Sequence, residues 1–244
     1  MLLRKVTQHV KDQNWFAVAL DFVIVVAGIL IAFQITEWNE ARIENQREKV
    51  LLERLQLDFE RIVSWGDQIM PRVNSAPRDT SRLIEQIRAD IKPGMDDEFQ
   101  QSAEASMYAV ATFEISPTYQ ELVSTGTLSR ITNAELRDAL ANYGRHRQAE
   151  KIVSEGLYAV QNKGVMRHAI QFQTHGEDLS EITIPISFDW EALKQTEPHL
   201  HVVLQNQHYI RIWKRNTFRD AKQVLRLLKE ELELEDVSLV ERLE

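Results

Sequence analysis

The chain contains no cysteine. Disulfides, thiolate metal sites and cysteine nucleophiles are thereby excluded, while the redox compartment is left open. Glycine and proline are scarce, 8 and 6 residues among 244. The glycines stand apart from one another, so the chain has no glycine-rich phosphate loop. It also has no Gly-x-Ser-x-Gly elbow. Positive charge is in deficit: 29 Lys and Arg against 37 Asp and Glu leave a net charge of −8. That balance disfavours nucleic acid as a general partner. The histidines lack metal-site spacing. His199 and His201 diverge on a helix, and His201 and His208 lie about 10 Å apart along one. His146 and Glu150 share a face as a pair only. Asp96, Asp97 and Glu98 lack the spacing of a calcium loop and read as the cap of a following helix. No cofactor, metal or catalytic constellation is expected, and the protein reads as a non-enzyme.

What remains between the few glycines and prolines is rich in Leu, Glu, Arg, Gln and Ala, which favours helix. One apolar run dominates. From Trp15 to Ile35 the strongly polar residues are Asp21 and Gln34. A helix of that length reaches roughly 30 Å, a hydrocarbon core's thickness. Trp15 and Trp38 flank it as interfacial aromatics do. A transmembrane helix is expected over 15–36, after a short tail at 1–14. No small-x-small cleavage site follows, which argues against a signal peptide. Arg4, Lys5 and Lys11 before the run nearly balance Arg42, Arg47 and Lys49 after it. We expect a cytoplasmic N-terminus at a bacterial inner membrane and a periplasmic C-terminal domain.

Ala17, Asp21, Val25, Gly28 and Ala32 fall on one stripe of this helix. Gly28 and Ala32 have the small-xxx-small spacing that lets helices approach closely. An acid at this depth has three readings: contact with a partner helix, a reach back to wet headgroups, or proton carriage. The stripe points to the first and implies a homo-oligomer or a membrane-protein partner, besides the bilayer itself.

The stretch "GILIAFQITEWNEAR" (28–42), with an acid seven residues before its glycine, resembles an uncharacterised family of bacterial single-pass membrane proteins. "TYQELVSTGTLSRITNAELRDALANY" (118–143) is similar to that family's second block. The two blocks cover about a quarter of the chain. Here Asp21 stands where the family mostly carries glutamate. The resemblance implies topology and a helical domain, and no chemistry.

The expected fold is all-α: the span, a helical stalk at 37–50, an α-helical bundle domain at 51–234, and an acidic tail at 235–244. The first core helix, with Leu51, Leu55, Phe59 and Ile62 on one stripe, is expected to end near 65–71. A second helix is expected at 78–91, with Leu83, Ile84, Ile87 and Ile91 inward, and a third at 98–113. Ser116 reads as an N-cap with Pro117 at the first helical position, and Gly126 as the stop. Thr132 with Glu135 reads as a capping box that opens a helix running to about 173. Residues 177–188 are the strand material, with Pro185 weighing against it, and 189–193 add a helical turn. A last helix is expected at 198–234, with Ile210, Trp213, Thr217, Ala221, Val224, Leu228 and Leu232 on one face. Opposite that face Arg211, Arg215, Arg219 and Lys222 form a basic stripe, either solvated or a surface for a partner or anionic lipid. The polar connection 124–132 is either a tight link between helices or a binding loop. The functional expectation is an accessory or scaffold subunit acting by protein–protein contact. The alternatives are an ion-coupled motor or transporter accessory subunit using Asp21, and a ligand-sensing helical domain.

Overall fold

The computed structural model describes residues 15–107, 112–161, 164–174 and 183–241, with side chains throughout except at 15–18, 157–161, 174, 183 and 234–241. The tail expected at 1–14, the side chain of Ala17 and the last three residues of the acidic tail lie outside the described residues. The chain is 84 % helical, in seven helices among the described residues. They are α1 (Trp15–Arg88), α2 (Asp97–Met107), α3 (Pro117–Ser124), α4 (Ala134–Gln161), α5 (Val165–Ala169), α6 (Trp190–Lys194) and α7 (Glu197–Glu241). Strands β1 (Ile170–Thr174) and β2 (Thr183–Phe188) pair antiparallel. Contacts divide the chain into two units, Met1–Val50 and Leu51–Glu244.

In the second unit one apolar cluster joins Leu52, Leu55 and Phe59 of α1 to Leu140 and Tyr143 of α4 and to Val224 of α7. A second joins Leu83, Ile84 and Ile87 of α1 to Phe99, Ile170, Leu193 and Leu200. These two clusters explain where α1 departs from expectation. It does not break at 65–71; it runs to Arg88 through Pro71 and Pro77. Each proline deletes a backbone hydrogen bond, at about 3 kcal/mol in a helix interior. Burial of Met70, Val73 and Ala76 around the prolines, and of Leu83, Ile84 and Ile87 beyond them, offsets that cost. The stop comes at Asp90, left-handed at φ 52. Ile91 N–H donates to the Gln86 carbonyl and Asp90 N–H to that of Ile87, the Schellman pattern without a glycine.

Three further departures are local. The cap of α4 is Asn133 rather than Thr132, for the Asn133 Oδ1 accepts from Leu136 N–H at 3.0 Å. The helix expected to reach 173 ends at Gln161, and Ile170–Thr174 is strand instead. Ile170 is buried, Phe172 half-buried, and Gln171 and Gln173 are exposed, a period of two rather than 3.6. Pro185 sits in β2 opposite Phe172, next to a register shift, in a two-stranded sheet where each strand is an edge. The hairpin is a small two-stranded addition to a chain that is otherwise mostly helical, as expected. Residues 177–182 and 108–111, parts of the expected strand material and of the third helix, lie outside the described residues. The last helix extends to Glu241 rather than 234, so most of the expected acidic tail is helical.

The caps at 116 and 126 are as the sequence indicates. Ser116 Oγ accepts from Tyr119 N–H, and Pro117 opens α3. Gly126, at φ +68, closes it with Thr127 N–H on the Leu122 carbonyl. A single turn of 3-10 helix, Leu128–Arg130, completes the link to α4. Residues 124–132 are thus a short connection tied by its own hydrogen bonds.

Candidate functional site

Three features carry functional information, the first in the unit ending at Val50 and the others in the unit from Leu51. The first is the apolar stretch of α1. Eleven large apolar side chains between Leu20 and Ile35 are 37–69 % exposed. The most apolar 18-residue window has mean hydropathy 2.3 and is 0 % buried. Fully burying one such side chain is worth about 1.5–3 kcal/mol. Covering the exposed half of eleven is worth on the order of 10 kcal/mol, comparable to a domain's whole stability. By length and composition this helix can cross a membrane. On its stripe Asp21, Val25 and Ala32 are exposed, and a Cβ built at Gly28 meets nothing within 4 Å. Among the described residues no side chain covers that face. Below it Thr36 donates to the Ala32 carbonyl at 3.0 Å, and the Arg42 guanidinium lies 5.9 Å from the Trp38 ring.

The second is a polar core where α4 packs on α7. Lys214 Nζ donates to Glu150 Oε1 at 2.8 Å, with both side chains 0 % exposed. The same oxygen accepts from Phe113 N–H at 3.0 Å, and the ammonium lies 5.4 Å from the Phe113 ring centroid. Burial pulls the Lys214 ammonium below its usual range, and the Glu150 carboxylate pushes back against that. Glu150 Oε2, Ser154 Oγ and Thr217 Oγ1 are buried without a hydrogen-bond partner. One turn further, His146 Nδ1 meets the buried Asp220 carboxylate. His146 and Glu150 therefore share a face, as their spacing indicates, but each faces a different residue of α7. Among the described residues no three metal-ligating side chains converge.

Sequence reasoning placed Lys214 beside the basic stripe and missed its burial. The signal was present. Ile210, Lys214, Thr217, Ala221, Val224 and Leu228 recur at spacings of four and three, as do Leu136, Leu140, Tyr143, Arg147, Glu150 and Ser154. Lys214 interrupts the first stripe and Arg147 and Glu150 the second, and the antiparallel helices bring Lys214 and Glu150 together.

The third is the basic stripe, which does not stay together. Lys222 pairs with Asp67 at 3.0 Å and lies 4.3 Å from the Phe218 ring centroid. Arg219 lies 3.4 Å from Asp220, and Arg215 is exposed. Arg211 instead turns into a groove between α1 and α7 of about 440 Å³, shared with Arg78, Ser81, Arg82, Glu85 and His208.

A structural acid positions the second sequence block. Asp58 of α1 is buried, and its Oδ2 accepts from Ser116 Oγ at 2.8 Å and Thr118 N–H at 3.1 Å. Arg61 donates to Oδ1 at 2.5 Å. Burial pushes this carboxyl up, but the hydrogen bonds outweigh it and hold it below the usual carboxylate range.

No curated protein and no solved structure matches the chain. The sequence pattern of DUF6090, a family of unknown function, matches residues 21–174. The match begins at Asp21 and ends with β1; it includes Asp58 and Glu150 and leaves out α6 and α7. Covering well over half the chain, it makes this protein a member of the family of unknown function DUF6090.

Proposed function

We propose that the protein is a single-pass membrane protein whose helical domain, residues 51–234, acts by contact with another protein, as a homo-oligomer or as an accessory subunit, without catalysis of its own. The observation that carries this reading is the exposed apolar stretch of α1, on which nothing among the described residues packs. A lipid environment removes that exposure, and a core helix of a soluble protein would be covered instead. The domain stands outside the inner membrane of a bacterium, with the N-terminus cytoplasmic. The partner lies along Asp21, Val25, Gly28 and Ala32, because an exposed carboxylate among lipid tails costs several kcal/mol unless another helix or water meets it.

Affinity purification of the full chain in mild detergent tests this function. A stoichiometric membrane-protein partner or a defined homo-oligomer is expected, and a monodisperse monomer refutes it. For topology, single cysteines at Arg4 and Lys92 are labelled in intact cells by a reagent that does not cross the inner membrane. Labelling at 92 alone is expected; labelling at 4 reverses the orientation. Ion coupling through Asp21 is the second reading, favoured by its exposed carboxylate within the apolar helix. It requires Asp21→Asn to abolish a cellular activity while assembly stays intact.

A further inference from the structure

We infer that the groove between α1 and α7 is a binding site for a phosphate-type oxyanion, held by Arg78, Arg82 and Arg211 with His208. Three guanidiniums and an imidazole from two helices line one concavity; Glu85 is the carboxylate on its lining, while Asp79 and Glu98 meet Arg78 and Arg82 from outside the lining.

The hydrogen bonds of these groups separate the positioning contacts from the available ones. Arg82 is fixed from behind: Nε lies 2.9 Å from Glu98 and Nη1 3.7 Å from the buried Asp79, and neither contact uses Nη2. Arg78 Nε lies 4.0 Å from Asp79, a contact that does not use its Nη groups, and the side chain is 75 % exposed. Arg211 has no carboxylate contact among the described residues; its Nη2 lies 3.3 Å from His208 Nδ1. Ser81 donates to Glu85 at 3.4 Å, which occupies the one acid on the lining with a neutral partner.

A guanidinium presents parallel N–H groups matched to oxyanions, and the match is strongest when several converge. A planar carboxylate offers two oxygens to donors that lie in its plane. A tetrahedral phosphate offers oxygens in several directions, as donors from two different helices require. The volume of about 440 Å³ also exceeds what a lone carboxylate fills and admits a phosphate with its substituent. The phosphate comes either from a lipid headgroup or from a soluble phosphate compound, and the chemistry of capture is the same.

The test is isothermal titration of inorganic phosphate, and separately of the soluble headgroup diester glycerophosphoglycerol, into the full chain in phosphatidylcholine nanodiscs at constant ionic strength. Saturable binding is expected for at least one. Tighter binding of the diester assigns the site to lipid headgroups, and tighter inorganic phosphate to a soluble ligand. Combining Arg78→Gln with Arg211→Gln should weaken binding by about tenfold or more. Arg215→Gln, exposed on the same helix, should leave it unchanged. Circular dichroism checks that the double variant is folded; if it is not, Arg211→Lys serves, since it keeps the charge, loses the fork and should still weaken binding. Absence of saturable heat with both probes, an equal response to acetate, or parental affinity in the folded variants overturns the inference.

Discussion

Replacing Lys214 by methionine should be among the most destabilising single changes in the α4–α7 interface, and a second substitution should rescue most of it. The pair is 2.8 Å apart and fully buried, so neither group exchanges its partner for water. Removing the cation leaves a buried carboxylate whose Oε2 already lacks a hydrogen bond. The remaining support is the Phe113 N–H at 3.0 Å. Breaking one side of a buried ion pair costs about 3–5 kcal/mol. In Lys214→Met combined with Glu150→Gln, the amide oxygen still accepts from Phe113 N–H and no charge is buried. The double variant should therefore lie within about 1–2 kcal/mol of the parent, since a buried pair gains little over neutral groups of similar shape. The coupling, the sum of the two single costs less that of the double variant, is then about 1–4 kcal/mol plus the cost of Glu150→Gln alone. Urea titrations of the full chain in detergent, followed by tryptophan fluorescence and far-UV circular dichroism, measure all four proteins. A Lys214→Met cost under about 1 kcal/mol, or two single costs that simply add, would refute a tightly coupled buried pair.

Asp58→Ala strips partners from Ser116, Thr118 and Arg61 together and should cost about 2–3 kcal/mol, with loosening of α3 visible as faster amide exchange at 117–124. Because the folded Asp58 carboxyl is held low, its contribution is present above the ordinary carboxylate value and is lost as pH falls below it; Asp58→Asn should flatten the acid limb of the stability curve below about pH 4. Gly66→Ala should destabilise by about 1–2 kcal/mol in the same urea assay, because the new Cβ meets Phe218 at 2.3 Å and Phe113 at 3.0 Å, outweighing the helix propensity gained; an unchanged or higher midpoint would refute the close approach. In the apolar stretch of α1 Gly28→Leu should weaken association in a detergent sedimentation assay and Asp21→Asn should preserve it, while equal association of Gly28→Leu and parent would refute the contact stripe.

Local chemistry made a good part of this protein legible in the sequence. The run from Trp15 to Ile35 needs no neighbours to be recognised, because its apolar length alone is enough to cross a membrane. Ser116, Pro117 and Gly126 delimit α3 through backbone groups within a few residues of themselves. The inward faces of α4 and α7 follow from spacing. Tertiary packing decided the rest. Pro71 and Pro77 read as a break, yet α1 continues because Met70, Val73, Leu83 and Ile84 are buried against elements far along the chain. Residues 170–174 look helical until β2 supplies the partner that satisfies their backbone, and a strand has no local hydrogen bonds to announce it. Glu150 and Lys214 are 64 residues apart, and Arg78 and Arg211 more than twice that. Their meeting depends on how α4 and α1 each pack on α7, a three-dimensional outcome of two apolar cores that no local window of sequence contains.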